Sequence, residues 1–485
     1  MKTFFGSDRH TVVAPSHRRR LLAPAVVAVV ALGMSGCATG SQPDEPAEGP
    51  SFETDAEMQG ELTIMGFNPD ADEIARTRTD VAIEAVEGAE VNVVEGELDV
   101  QQFLSSIASG EAPDLIYANR NQLGTFASRN AILPLDTCLE AEGVEVGDFR
   151  EPAIEQATFN DSLYGLPEFN QVQIVMANDD LLKQEGLTTG DVDGSDWEAV
   201  AAANEKLSRS ENGGLTVIGF DSKLPEFLPL WAKANGADLI SEDGRTAQLD
   251  DPKVIEALEF AVGIYEAQGG FGDVKAFRDS ADFFGAGNQF ASNTLGAMPM
   301  EQWYVNILND VSPEAPMAFT TFKDKEGEPL SYATGSAWAI PSGGSNPAAA
   351  CRFLAAMTKT DTWMQAAEAR ASAREEEGKP FTGLFTGNRE ADEEIRSTYV
   401  ETSEALTGPW AEAVDASYTA NESSFSQPAT PADAEFEQAW LDGVNRVLTG
   451  EQTPQDSMAA AQEEAQAALD KAWAEWDDSE AGSEG

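Results

Sequence analysis

Along the chain, short apolar runs alternate with longer stretches in which apolar residues recur at helical spacing. Leu62-Thr63-Ile64-Met65, Val91-Asn92-Val93-Val94 and Asp114-Leu115-Ile116-Tyr117 read as strands. Between them lie a helix from about Asp70 to Val86 and a second over Val100–Ser109. Strand–helix–strand–helix–strand in so short a span predicts a parallel sheet covered by helices. Further helices are expected at Trp197–Ser208, Pro252–Gln268, Pro347–Thr358, Ala432–Leu448 and Met458–Trp473, the last being amphipathic and rich in Ala, Gln and Glu. The body from residue 60 to 476 is long enough for two domains and shows no repeat of 20–50 residues.

The two ends depart from this pattern. Lys2, Arg9 and Arg18–Arg20 form a basic segment, followed by an apolar run, Leu21–Leu32. That run is too short to cross a membrane but suits the core of a secretory signal, so residues 1–36 are expected to be a leader. Met34-Ser35-Gly36-Cys37 resembles the lipobox of bacterial lipoproteins, in which the cysteine is acylated and becomes the new N-terminus; Met34 stands where Leu is usual. Arg18-Arg19-Arg20-Leu21-Leu22 also resembles a twin-arginine export signal. A plain secretory leader cut near Ala38 is the alternative, and every version leaves an exported protein. Residues 37–59, rich in Pro, Glu, Gly and Ser, bury too little apolar surface to offset ordering and are expected to be a flexible tether. Its root-mean-square reach is roughly 25 Å. The polar tail, 477–485, is expected to fray.

Charge narrows the partners. The formal net charge is −55, and losing the leader with its five basic residues and one acid takes it to −59. Such a surface repels nucleic acid and anionic headgroups. It fits a salty surrounding where counterions screen self-repulsion, or simply a soluble acidic surface. Both histidines, His10 and His17, lie in the leader. The mature chain therefore has no Ser-His-Asp or Cys-His nucleophile and no His-ligated zinc or haem. Beyond Cys37 only Cys138 and Cys351 remain, which excludes a CxxC motif and leaves either one disulfide or two buried free thiols.

Several segments together resemble a family. LTIMGFN (62–68), APDLIYAN (112–119), LYGLPEFNQVQIVMANDDLL (163–182), FASNTLGAMPMEQWYVNI (290–307) and YATGSAWAIPSGGSNPAAACRFLAAMT (332–358) are similar, in order and spacing, to family 1 extracellular solute-binding proteins, the maltose-binding-like group. A helical C-terminal segment completes the likeness, which spans nearly all of 60–476. The resemblance implies an α/β, two-domain periplasmic-binding-protein-like fold, each domain a mainly parallel sheet flanked by helices, with the ligand in the cleft between them. It places 60–168 and 334–385 in an N-terminal domain and 169–333 and 386–476 in a C-terminal one. Cys138 and Cys351 then share a domain, where they can pair.

A sugar needs planar hydrogen-bonding groups for its hydroxyls and an aromatic platform for its C–H faces. After the third strand come Asn119, Arg120, Asn121 and Gln122, where the family presents polar ligands; Ala118 fills the place of an aromatic. A capped polar loop is the bland alternative. After the implied crossover come Glu168, Asn170, Gln171 and Gln173. Strand alternation would put Gln171 and Gln173 on one face and Asn170 on the other, and Gln171 matches a family acid. Trp303 matches the family's stacking tryptophan, beside Glu301, Gln302 and Tyr304. Ala333-Thr334-Gly335-Ser336 is a small-residue strand where a backbone can approach a ligand, which makes Gly335 and Ser336 candidates. Glu226, with Phe227 and Trp231, forms a weaker group that reads equally as helix core. Trp338 and Trp410 are expected to be packing, and Phe436 is undecided.

The function this implies is capture of a carbohydrate, an oligosaccharide, by domain closure and delivery to an ABC importer, from a lipid anchor at Cys37 on the outer face of the cell membrane. The protein is expected to be a monomer without enzymatic activity, cofactor, metal or nucleic acid. Two rivals remain open. A secreted glycosidase needs only two carboxylates, about 5–5.5 or 6.5–9.5 Å apart. A binding protein for iron, polyamine or peptide is the other, although Asn and Gln suit neutral hydroxyls better than a cation. No phosphate-binding or dinucleotide glycine motif is present in a strand–loop–helix setting.

Overall fold

The computed structural model describes Phe52 and residues 58–483. The expected leader, Cys37 and most of the expected tether lie outside the described residues. Phe52 packs against the core and Met58 is buried, so these two residues of the expected tether belong to the body.

Two five-stranded sheets organise the body. The first runs, in spatial order, Ala89–Val94, Gly60–Met65, Leu115–Asn119, Thr334–Ala339 and Leu166–Gln171. The second runs Met317–Thr321, Gln173–Asn178, Leu295–Glu301, Gly214–Phe220 and Arg209–Glu211. Gly60–Met65 pairs in parallel with both neighbours, but Thr334–Ala339 is antiparallel to both of its own, with Ser336 opposite Asn119 and Thr334 opposite Gln171. In the second sheet only Leu295–Glu301 with Gly214–Phe220 is parallel. Both sheets are thus mixed rather than mainly parallel, because Thr334–Ala339 and Gln173–Asn178, which enter from the other lobe, arrive reversed, and Arg209–Glu211 folds back on Gly214–Phe220 as a hairpin. Gln173–Asn178 is buried at every position, as a strand covered on both faces must be.

Local chemistry sets the helix limits. Asp72 accepts a hydrogen bond from the Ala75 amide and starts Glu73–Ala85. Asp99 does the same for Val100–Ser109, which ends at Gly110 in the left-handed conformation. Pro252, Pro347 and Pro454 stand at the first position of their helices, where the missing N–H costs nothing. Pro454–Ser483 passes through the tail expected to fray. Trp473 and Trp476 explain the extension: both are buried and pack on Phe159, and Asp477 meets Arg245 at 3.3 Å.

Residues 386–395, expected in the C-terminal domain, pack on the first lobe instead. Ala391 and Ile395 share a cluster with Ile74 and Trp363, and Arg150 reaches Asp392 at 3.0 Å. The helix Pro409–Glu422 lies on the second sheet, with Trp410 against Phe319. The final two helices bridge the lobes: Asp433 accepts from the Gly124 amide, while Gln462 and Gln466 accept from the amides of Leu249 and Ala247. Cys138 and Cys351 are joined in a disulfide, with Cα atoms 5.7 Å apart, tying the helices Asp136–Glu142 and Pro347–Thr358. Among the described residues no helix is long and apolar enough to cross a membrane.

Candidate functional site

The chain passes from the first sheet to the second at Val172 and returns at Ala333, both fully buried. Gln302, at the end of a second-lobe strand, clamps the first passage. Its side chain accepts from the Val172 amide at 2.8 Å and donates to the Asn170 carbonyl at 2.8 Å. Gln173 holds the two passages together by accepting from the Ser331 hydroxyl and the Tyr332 amide at 3.0 and 2.9 Å.

Beneath this hinge runs a buried polar network. Arg120 donates to Gln156, Asn170 and the carbonyls of Phe169 and Thr334, at 2.6–3.2 Å. Burial lowers its guanidinium to about 10, so it stays charged at neutral pH. Asn170 donates onward to Asn421, which donates to Asp392 beside Arg150. Glu168 is fully buried and ion-paired with Arg78, whose guanidinium lies 3.9 Å from the Trp363 ring centroid.

These contacts divide the sequence candidates. Glu168 and Asn170 have protein partners and no exposed surface, so they hold the hinge rather than face a ligand. Tyr304 is also buried, its hydroxyl donating to the Phe283 carbonyl at 2.7 Å. Gly335 makes a close approach, but to protein: a Cβ there would lie 2.1 Å from the Phe169 carbonyl oxygen. Ser336 is half-buried, and its hydroxyl interacts with that of Tyr117. Gln171 and Gln173 do not share a face. Gln171 is exposed on the first sheet and Gln173 buried in the second, because alternation ends where the chain changes sheet. Phe227 and Trp231 are core, as are Trp338 and Trp410.

Gln171, Glu226, Glu301 and Trp303 remain open at the hinge mouth. Gln171 accepts from the Thr334 hydroxyl at 3.3 Å and is otherwise exposed. Glu301, opposite Gln173 in the sheet register, is half-buried. Burial pushes its carboxyl up, Glu226 adds to the rise and Lys223 opposes it, which places both near it. Trp303 is half-buried beside Phe283, Phe284 and Tyr304. A short distance along the lobe junction, Asn121 donates to Glu437 at 2.7 Å in a small cavity with Tyr332, Asp433 and Phe436. Gln122 is half-buried in the same turn as Asn121.

Lys223, Phe284 and Glu437 were not among the sequence candidates. Phe283-Phe284, an aromatic doublet in a Gly-rich polar stretch, was a readable signal; Glu437 on an ordinary amphipathic helix offered none. A groove of about 820 Å³, lined by Glu155, Lys233, Glu242, Asp243 and Trp473, shares none of these mouth residues. Its one indole is already covered by Arg245, 4.0 Å from the ring centroid, which leaves no free platform there.

Two α/β lobes joined by hinge strands, with polar and aromatic groups at their junction, define the class of two-lobed solute-binding proteins. The chain belongs to the bacterial extracellular solute-binding protein family, whose model matches residues 66–364. It is a binding protein rather than an enzyme. An uncharacterised lipoprotein of Streptomyces antibioticus is 27% identical over 165 residues, an alignment covering 32% of each chain. Among solved structures, a mannobiose-bound protein, CpMnBP1, is 21% identical with a TM-score of 0.65, covering 84% of this chain and 100% of that one. A Listeria monocytogenes binding protein in complex with cycloalternan is 16% identical, TM-score 0.66, with 84% and 98% covered. The GacH receptor of Streptomyces glaucescens, solved unliganded and with acarbose, is 15% identical, TM-score 0.65, with 85% and 99% covered. These likenesses establish the shared fold.

Proposed function

We propose that the protein captures a carbohydrate, an oligosaccharide, at the hinge mouth and delivers it to an ABC importer. The observation that carries this is the pairing of hydrogen-bonding groups still open to water, exposed Gln171 and half-buried Glu301, with the half-buried indole of Trp303 beside one hinge passage. Planar polar groups next to an apolar ring match the two surfaces of a sugar. Asn121, Gln122, Glu226 and Ser336 form the rest of the contact set. The lobes comprise about 60–171 with 334–400, and 173–332 with the helix at 409–422, hinged at Val172 and Ala333. Sugar favours a closed arrangement only to the extent that it binds that state more tightly. The solved relatives bound to mannobiose, cycloalternan and acarbose support the ligand class.

In this account Cys37 carries lipid and holds a monomer at the outer face of the membrane. The lipoprotein name of the Streptomyces relative supports this. Cys37→Ser releases the protein into the medium in a fractionation experiment; retention in the membrane fraction refutes the anchor. The ligand class is tested by thermal unfolding of the Cys37→Ser protein across a carbohydrate panel. A sugar at 100 times its dissociation constant adds roughly 2.7 kcal/mol. A panel without any shift refutes the carbohydrate reading, and steady conversion of an oligosaccharide to shorter products replaces it with the glycosidase.

A further inference from the structure

We infer that Asp310, gripped by Arg374 and Lys379, forms an ionic strap between the lobes that holds the ligand-free arrangement, so that the ionic strength of the surroundings sets how readily the lobes close. Its consequence for binding rests on the carbohydrate reading above. The strap joins elements far apart in the chain. Trp303–Val311 is a second-lobe helix that follows the strand Leu295–Glu301. Thr360–Glu376 packs on the first-lobe helix Glu73–Ala85, with Trp363 and Ile74 in one cluster.

The end of Thr360–Glu376 and the turn after it reach across to the second lobe. Arg374 donates to Asp310 at 3.0 Å and to Asn309 at 2.5 Å. Its third nitrogen, Nε, donates to the Pro380 carbonyl at 3.2 Å, and the Lys379 amide donates to the Arg374 carbonyl at 2.8 Å, which fixes the turn. Lys379, paired with Glu377 at 3.0 Å, places its ammonium on Asp310 as well, and the Thr382 hydroxyl donates to Asn306. The hydrogen bond from Lys379 outweighs burial and, with Arg374 adding to it, holds the Asp310 carboxyl below the usual carboxylate range. The acid is therefore charged at neutral pH.

The position of the strap ties it to the site. Trp303, Asn306 and Asp310 lie on one face of their helix, at spacings of three and four. The face that carries the candidate sugar ring at one end is thus held by the first lobe at the other, about 10 Å along the axis. Rotation about Val172 and Ala333 changes the distance between groups fixed on different lobes, and hydrogen bonds weaken steeply when they are bent or stretched. In the arrangement the strap holds, Gln171 and Trp303 keep surface open to water, whereas a closed site encloses most of its ligand. The strap belongs to the open arrangement and resists leaving it. Freeing it lowers the cost of closure and raises the apparent affinity. Asp310 is 45% exposed and Lys379 30%, so salt reaches and screens the pair.

Two measurements on the Cys37→Ser protein test the strap, each at about 0.01 M and about 1 M sodium chloride, where the screening length falls from roughly 30 to roughly 3 Å. The first uses no ligand. Small-angle scattering should give a smaller radius of gyration at high salt, and Asp310→Asn should already be compact at low salt. Salt also screens the general repulsion within so acidic a chain. Glu259→Gln, which removes an exposed acid elsewhere on the second lobe, is therefore the control and should follow the protein with its strap intact. The second measurement is calorimetric titration of maltose and mannobiose. Whichever of them is bound, Asp310→Asn binds it about threefold more tightly at low salt, the scale of a partly exposed ion pair, and the advantage disappears at high salt. Lys379→Gln shifts binding the same way, and adding it to Asp310→Asn brings no further gain. Scattering and affinity of Asp310→Asn that match Glu259→Gln at both salts overturn the strap. So does weaker binding by Asp310→Asn at low salt, which assigns the tie to the closed arrangement. Binding of neither sugar, with the scattering difference intact, counts against the carbohydrate reading alone and leaves the strap standing.

Discussion

Two groups of polar side chains lie within a few residues of each other at the hinge, and burial separates them. Arg120, Glu168, Asn170, Asn421 and Asp392 are enclosed, and each has a partner in the protein. Gln171, Glu226, Glu301 and Trp303 are at least partly open to water. The strand Leu166–Gln171 feeds both groups, with Asn170 inside and Gln171 outside. The first group fixes where the lobes meet, since a buried polar atom without its partner costs about 1–3 kcal/mol. The second keeps part of its surface open to water, which is the ground for proposing it as the ligand site. Polarity near a hinge is therefore not by itself a sign of binding; what matters is whether the protein already satisfies it.

Breaking the first group should have the largest effect. Arg120→Ala strands four acceptors, and the protein should lose roughly 3–5 kcal/mol in denaturant unfolding. A loss below about 1 kcal/mol would mean that water satisfies these groups and the network does not hold the hinge. Removing the disulfide, as Cys138→Ala with Cys351→Ala, should cost about 2–4 kcal/mol without affecting sugar affinity, because it closes a long loop within one lobe. If alkylation of unreduced, denatured protein labels both cysteines, the bond is absent.

In the second group stability should hardly change while binding does. Trp303→Ala should weaken oligosaccharide binding by roughly 2–4 kcal/mol, as a central aromatic anchor does. Gln171→Ala should weaken it by about 1–3 kcal/mol, by leaving sugar hydroxyls unmatched. Normal titration curves for both would move the site away from the hinge mouth.

The last prediction concerns the pH dependence of Asp433, which links the final helix pair to the first lobe. Burial raises its carboxyl to about 7, with hydrogen bonds from Thr430 and the Gly124 amide opposing the rise. A folded value above the unfolded one favours the protonated fold. The contribution is therefore full below about pH 4 and is lost as pH rises to 7. Stability should fall across that window, and Asp433→Asn should flatten part of the fall; an unchanged slope would assign the pH dependence to other acids.

The same comparison explains what was legible in the sequence. The opening strand–helix alternation could be read directly, and Val100–Ser109 and Pro347–Thr358 have the limits their capping residues and periodicity predict. The reversed strand Thr334–Ala339 could not, because its direction depends on a passage from the other lobe. Glu168 and Asn170 look like ligands in sequence for the same reason that Gln171 does: residue type states what a group can bond to, whereas burial depends on distant segments such as Arg78, Arg120 and Asn421. The alternation that paired Gln171 with Gln173 assumed one continuous strand, and the sheet changes between them. The C-terminal helix outlasts its polar sequence because Phe159, remote in the chain, packs on Trp473 and Trp476.

The central claim, that buried polar groups hold the hinge while open ones bind sugar, is tested most directly by thermal unfolding of Arg120→Ala and Trp303→Ala side by side, each with and without the best oligosaccharide from the panel. The account predicts a lowered midpoint for Arg120→Ala with the sugar-induced rise retained. For Trp303→Ala it predicts a normal midpoint with that rise largely abolished. A Trp303→Ala protein that unfolds early yet still responds to sugar would contradict it.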